Sequence, residues 1–378
     1  MNDSSIREQR DREVWISADC GCLEVFKEQV SQMTKLEDWP FAQEVVHNVL
    51  IYDGKKVRDL SQKTNAKRQL MAEWTIALSK GPGVLVIKRA MIDLDVVDRA
   101  SEVFESIIVS EKETNLAAGD HFAKAGSNDR IWNALEKHCI TDPVNFAHYY
   151  GNITLAMVSE AWLGVGYQMT AQVNRVNPGG SAQAAHRDYH LGFMTNEQMS
   201  SYPSHIHKLS PLLTLQGAVA HCDMPVESGP TKFLPYSQLF LEGYLAFTRQ
   251  EFQDYFENNY VQLSLEKGDA VFFNPALMHA AGENKTSDIY RLANLLQVSS
   301  AFGRAMELID RNRMLSVLLP VLQSAKQSGS LCDEMLKSAI AAAAEGYSFP
   351  ANLDIDPPIG GLAPKTQAQK IQEAVFNK

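Results

Sequence analysis

His186-Arg187-Asp188 places an imidazole and a carboxylate two residues apart, shortly after the Gly179-Gly180 turn. In an extended segment residues i and i+2 lie on the same side, so the pair could ligate one metal ion. Two histidines and one carboxylate suit an iron(II) that must keep positions open for a co-substrate and for oxygen. The tripeptide alone is weak evidence, because the chain holds a second copy, His221-Cys222-Asp223. The third ligand must come from a distant strand, and "KGDAVFFNPALMHAAGEN" offers one. There a Gly-Asp turn opens an apolar strand over 270–273, a proline turn follows, and His279 stands just after it. Arg291 begins the next strand-like run. A guanidinium pointing into a barrel is costly unless it meets an anion, and its paired donors clamp a dicarboxylate naturally. The plainer alternative leaves His279 capping a turn and Arg291 paired with Glu283 or Asp288 at the surface.

Such a constellation needs a β scaffold. From about 165 to 300 the chain reads as short strands: "YQMTAQVNRVN", "PLLTLQGAVAHCD", "TKFLPYS", "VQLSLEKGDAVFFN" and "RLANLLQVSSAF", separated by turn residues. Consecutive strands without helices between them predict an antiparallel sandwich or barrel. The first 80 residues read as mostly helical, with a stripe through Leu70, Trp74 and Leu78. Gly81-Pro82-Gly83 then breaks the helix ahead of the strand-like "VLVIKRAM". Val96, Val97, Ala100, Val103 and Ile107 follow at helical spacing, with an aspartate available as N-cap. Helix returns after 305. The expected organisation is therefore a helical N-terminal extension (1–80), a β core (81–305) and a helical C-terminal extension (306–378). The core is mainly β, in an α-helical wrapping. Two histidine groups read as structural: His221 as a strand-end polar group, and His205-Ile-His207 as part of a solvated, proline-bounded loop.

A formal charge of −10 gives no overall attraction to nucleic acid or anionic membrane. No apolar run is long enough to span a bilayer, and the charged "MNDSSIREQRDREVW" does not resemble a secretion signal. Five scattered cysteines predict reduced thiols in a cytoplasmic protein.

The motifs gain weight from their order. "GVLVI", the strand and turn leading to His186-Arg187-Asp188, "ESGPTKFLPYSQ", and "KGDAVFFNPALMHAAGEN" followed by Arg291 together resemble the phytanoyl-CoA dioxygenase family. The resemblance spans roughly residues 81 to 302 and places the chain among the 2-oxoglutarate- and iron(II)-dependent oxygenases. It implies a double-stranded β-helix (a jelly-roll, cupin-like core) and iron held by His186, Asp188 and His279. It further implies that Arg291 binds the far carboxylate of 2-oxoglutarate, with Gln172 and Thr214 as further polar contacts to that co-substrate. Tyr189, His190, His121 and Phe122 are candidates for the substrate pocket, and residues 117–132 for a lid over it. Two positions depart from the family pattern: Arg187 stands where many members have glutamine, and "PYSQ" replaces Pro-Gly-Ser-His.

The implied reaction oxidises, most simply hydroxylates, an unactivated C–H bond of a small-molecule metabolite, releasing succinate and carbon dioxide. Asp188 as third ligand argues against halogenation, because a halide needs the position the carboxylate fills. The absence of a clustered Lys/Arg patch disfavours an acyl-CoA substrate. Oligomerisation through the helical extensions is compatible with the sequence. The competing readings are a catalytically silent jelly-roll binding protein and a cupin-type iron oxygenase that does not use 2-oxoglutarate; Arg291 speaks against the latter.

Overall fold

Among the described residues ten strands carry the architecture: β1 (Glu44–Val46), β2 (Val49–Asp53), β3 (Val84–Lys88), β4 (Asn128–Ile131), β5 (Gln168–Val176), β6 (Thr214–Ala220), β7 (Lys232–Phe233), β8 (Ala270–Phe273), β9 (His279–Ala280) and β10 (Arg291–Ser299). The structure, a computed structural model, describes residues 3–114, 126–348, 354–355 and 357–377. Eight strands form one sheet in the order β1-β2-β3-β8-β6-β10-β5-β4. Neighbours run antiparallel except β2 and β3, which are parallel. β7 and β9 pair in a small second sheet. Bridges from His186 to His279 and from Phe233 to Val261 widen it on both sides. A large sheet facing a small one is the jelly-roll arrangement.

Side-chain parity decides what each face does. On β6, Leu215 and Val219 join the hydrophobic cluster shared with the helices, while Ala218 and Ala220 join a separate cluster on the other face. β8 repeats the pattern, with Ala270 and Phe272 on the helical side and Val271 and Phe273 opposite. Leu215, Phe272 and Leu296 are completely buried, and each such burial contributes about 1.5–3 kcal/mol. A one-residue slip of any central strand would exchange the two faces, so register is strongly specified. Gly217 sits where a Cβ would come within 2.6 Å of the Phe272 ring, which explains the gap in an otherwise side-chain-bearing strand.

The helical layer includes Leu94–Glu113, Pro143–Tyr150, Ile153–Leu163, Arg311–Ser328 and Asp333–Ala343. Its apolar stripes (Phe104, Phe146, Leu155, Leu318 and Ile340 among them) cover one face of the large sheet. Asp93 caps the first of these helices, accepting from the Asp95 amide at 3.1 Å. The wrapping is thus lopsided. The other face is left to the small sheet and the cavity between the two. The expected helical N-terminal extension is also only partly helical: β1 and β2 fall within it and continue the large sheet beyond β3. A periodicity reading misses them because β1 is three residues long, too short to show alternation, and β2 (VLIYD) is buried on both faces and so does not alternate. His205 and His207 lie on a short helix, Ser204–Leu209, rather than a loop. His207 is buried there, donating from Nε2 to the Met199 carbonyl at 2.9 Å. No helix among the described residues is long and apolar enough to cross a membrane.

Candidate metal centre

His186, Asp188 and His279 converge: one ligand atom from each lies within 4.8 Å of the others. The convergence has a backbone cause. His186 and His279 form an antiparallel bridge, with the His186 amide donating to the His279 carbonyl at 2.9 Å and the reverse bond at 3.2 Å. The Asp188 amide donates to the Pro275 carbonyl at 2.9 Å, holding the carboxylate arm against the turn that leads into β9.

The rings are fixed from behind. His186 donates from Nδ1 to the Ala184 carbonyl (3.0 Å) and His279 from Nδ1 to the Leu277 carbonyl (2.8 Å). A ring whose Nδ1 carries the proton presents the lone pair of Nε2, and both Nε2 atoms face Asp188 Oδ2, at 3.7 and 3.4 Å. The carboxylate is oriented in turn by Gln216, whose Nε2 donates to Oδ2 at 2.6 Å. Burial would raise the Asp188 pKa, yet the two imidazoles hold it well below the usual carboxylate range. Burial, and then the neighbouring His186, lower that of His279. Two neutral imidazoles and one carboxylate make a hard-to-borderline donor set with a single negative charge, which fits a divalent iron.

The three side chains line a cavity of about 170 Å3. Arg291 lines it too, buried at 6% exposure. Its Nη1 donates to the Ser228 carbonyl at 3.2 Å, and no described carboxylate pairs with it. Burial lowers its pKa to about 10, so the guanidinium is still charged near neutral pH. Gly229, at φ +72°, shapes the turn beside Ser228; a Cβ there would meet the Glu283 carbonyl at 2.3 Å.

The other sequence candidates divide. Gln172 lines the cavity, accepting from Arg130. Thr214 does not: it shares the cavity-facing parity of Gln216 but sits at the far end of β6, opposite Ser299. Tyr189 points away, fully buried against Met199 and Tyr244, with its hydroxyl 3.2 Å from His207 Nδ1. His190 also lies outside the cavity lining; Ser210 Oγ meets its backbone and ring, and its Nε2 donates to the Arg304 carbonyl at 3.3 Å. The turn that begins at Tyr189 explains both, since each follows Asp188 into a stretch of chain that leaves the cavity. His121, Phe122 and most of the expected lid fall outside the described residues. The rival tripeptide is on the wrong face. His221 is buried on the helical side, hydrogen-bonded through both ring nitrogens to Ser101 Oγ and the Tyr149 hydroxyl, each at 2.8 Å. Arg175, the next basic residue one would consider, is ion-paired with Asp129 and Glu105.

Cavity residues not anticipated from sequence include Gln216, Gln297 and Asn174, whereas Arg130 and Trp132 belong to the described end of the 117–132 segment expected near the pocket. A signal for some of them existed. Given Arg291 as inward-facing, a period of two puts Ala293, Leu295 and Gln297 on the same face of β10, and all three line the cavity.

The sequence model of the phytanoyl-CoA dioxygenase (PhyH) family matches residues 79–293. The chain belongs to that family. Iron and 2-oxoglutarate, the metal and co-substrate of the family's oxygenases, are accordingly those that this donor set and arginine fit. No curated protein is significantly similar to the chain. Among solved structures it resembles the alpha-ketoglutarate-dependent epimerase SnoN from nogalamycin biosynthesis (18% identity, 63% of this chain and 84% of that one, TM-score 0.41). It also resembles the carbocyclase SnoK from the same biosynthesis (19%, 60% and 83%, 0.42). A third is HygX from Streptomyces hygroscopicus, solved with nickel and 2-oxoglutarate bound (15%, 62% and 90%, 0.41).

Proposed function

We propose that this protein is an iron(II)- and 2-oxoglutarate-dependent oxygenase that oxidises an unactivated C–H bond of a small-molecule metabolite, with succinate and carbon dioxide as co-products. The observation that carries the reading is Arg291: a buried cation without a carboxylate partner among the described residues, in the same cavity as the three-residue donor set. Leaving such a charge uncompensated costs several kcal/mol, and a dicarboxylate bound in the cavity supplies the missing anion. A silent binding protein has no need of both features together.

On this reading His186, Asp188 and His279 hold the iron, which supplies oxygen activation coupled to decarboxylation of the co-substrate. The protein's part is geometry and dryness. The Nδ1–carbonyl bonds keep each imidazole edge-on to the metal position, and Gln216 keeps one carboxylate oxygen from rotating away. Val271, Phe273, Met224 and Leu265 give the cavity an apolar wall that excludes water beside Arg291. Arg130, Trp132, Asn174, Gln183 and Phe193 mix amides, a cation and aromatic surface in the rest of the lining, which suits a small polar molecule with a ring or apolar portion.

The test is stoichiometric iron loading followed by succinate detection. One iron(II) per chain and slow, iron-dependent succinate formation without added substrate are expected. Absence of succinate above background at every iron concentration would sink the enzyme reading. A metabolite screen scored by substrate-stimulated succinate then identifies the substrate.

A further inference from the structure

We propose that Arg187 is a positioning residue for the metal centre, fastening the segment that bears His279 to the segment that bears His186 and Asp188. The inference rests on the reading that these three side chains hold the metal. Arg187 lies between two of them in sequence, and strand alternation turns it away from the cavity, of which it is not a lining residue. It is 1% exposed, among the largest fully buried side chains of the chain. Its Nη1 donates to the Ala276 carbonyl and its Nη2 to the Ser237 carbonyl at 3.1 Å. The guanidinium sits 4.9 Å from the centroid of the Tyr244 ring, and Gly243 leaves it room: a Cβ there would be 3.3 Å from Nη2.

Those two carbonyls matter because of where they are. Ala276 belongs to the turn between β8 and β9, whose residues are tied down one after another. The Pro275 carbonyl takes the Asp188 amide, the Leu277 carbonyl takes the His279 ring, and the Met278 amide donates to Ser237 Oγ at 2.8 Å. Arg187 fills the remaining place in that series and reaches Ser237 with its other arm. One planar fork therefore joins three chain segments: the His-x-Asp arm, the approach to His279, and the loop after β7. A buried cation with no described carboxylate beside it is a costly way to fill space, and an apolar side chain would pack there more cheaply. A fork of fixed geometry is what the position gains.

The experiment compares anaerobic cobalt(II) titrations of wild type, Arg187→Lys, Arg187→Met and His221→Asn, together with thermal melts. Cobalt reports affinity and, through its visible absorption, the geometry of its ligands. His221→Asn breaks a buried polar contact on the helical face and controls for a general loss of stability. Arg187→Met should weaken cobalt binding about 10–100-fold, the usual cost of removing a group that orients metal ligands, and should alter the spectrum. Arg187→Lys, which reaches one carbonyl but not both, should fall between it and wild type. His221→Asn should keep wild-type affinity and spectrum despite a lowered melting temperature. Wild-type affinity and spectrum in Arg187→Met overturn the proposal, as does an equal loss in His221→Asn. Should Arg187→Met give no soluble protein, Arg187→Lys decides alone, and wild-type cobalt binding in it overturns the proposal. Failure of the wild-type chain to bind cobalt would instead remove the metal-centre reading itself.

Discussion

Replacing Arg291 tests the co-substrate assignment most directly. In the structure its guanidinium meets one neutral carbonyl, of Ser228, and no described carboxylate, so most of its interaction energy is reserved for a ligand. Removing one partner of a buried charge pair costs about 3–5 kcal/mol, because the other charge is left uncompensated. At about 1.4 kcal/mol per decade that is roughly a hundredfold to a few thousandfold in affinity for 2-oxoglutarate. Arg291→Ala should therefore raise the Michaelis constant for 2-oxoglutarate by at least about a hundredfold. Arg291→Lys should lie between it and wild type, because the charge stays and the fork is lost. The free protein should respond oppositely: Arg291→Ala deletes an uncompensated buried cation and should melt no lower than wild type. Iron binding should be unchanged in both variants, and 2-oxoacids with a single carboxylate should be indifferent to the substitution. The assays are succinate formation against 2-oxoglutarate concentration and calorimetric titration of the iron-loaded protein without oxygen. Wild-type 2-oxoglutarate dependence in both variants would refute the reasoning. Arg130, the other arginine lining the cavity, would then be the group to examine.

Three further outcomes follow from the same geometry. His186→Ala should abolish binding of micromolar iron, whereas His221→Ala should leave it intact and lower the melting temperature, since only the former lies in the donor set; equilibrium dialysis distinguishes them, and the reverse pattern would overturn the choice of tripeptide. Gln216→Leu should weaken iron about 10–100-fold by releasing Asp188 Oδ2, read by the same dialysis; unchanged affinity would show that the carboxylate is held by other means. Burial lowers the pKa of His221 to about 3 and of His138 to about 4, below the ordinary value of 6.5. The unfolded chain therefore binds more protons than the folded one below pH 6.5, and stability should fall as pH drops from there towards 4, by up to about 1.4 kcal/mol per unit for each histidine. Urea midpoints across that range should flatten in His221→Asn, and an unchanged slope would count against a buried neutral imidazole.

Much of the large sheet was legible because its strands are long enough to show character: β5 and β10 run nine residues each. The small sheet was legible only in part, through "TKFLPYS", which holds β7. β9 is two residues long, below the length at which alternation can be recognised, although it carries a metal-ligand candidate. His279 was found instead from its surroundings, a turn after an apolar run. Parity settles the face of a residue but not its depth. That is why Gln172, near the middle of β5, lines the cavity while Thr214, at the end of β6, does not. Tyr189 and His190 lie outside the cavity lining for a related reason: sequence adjacency to Asp188 does not survive the turn that follows it.

The two departures from the family pattern, read separately in the sequence, touch each other in space. Arg187 donates to the carbonyl of Ser237, which is the serine of "PYSQ". Next to it, Tyr236 adopts φ +68°, a conformation that normally favours glycine. A side chain held there costs of order 1 kcal/mol or more and persists only if its surroundings insist on it. They do so from a distant part of the chain. The Tyr236 hydroxyl is 2.7 Å from Thr34 Oγ1, its amide donates to the Pro82 carbonyl at 3.0 Å, and Gln238 Nε2 donates to the Gly81 carbonyl at 2.9 Å. Gly83, at φ +79°, accepts the closeness of Gln238, which a Cβ would meet at 2.5 Å. The Gly-Pro-Gly stretch that reads as a helix stop thus also braces the loop that Arg187 reaches from the candidate metal centre. Thr34 ties the N-terminal segment to the same loop, so that segment, read from sequence as an extension, belongs to the scaffold on which Arg187 and the candidate ligand arms are set.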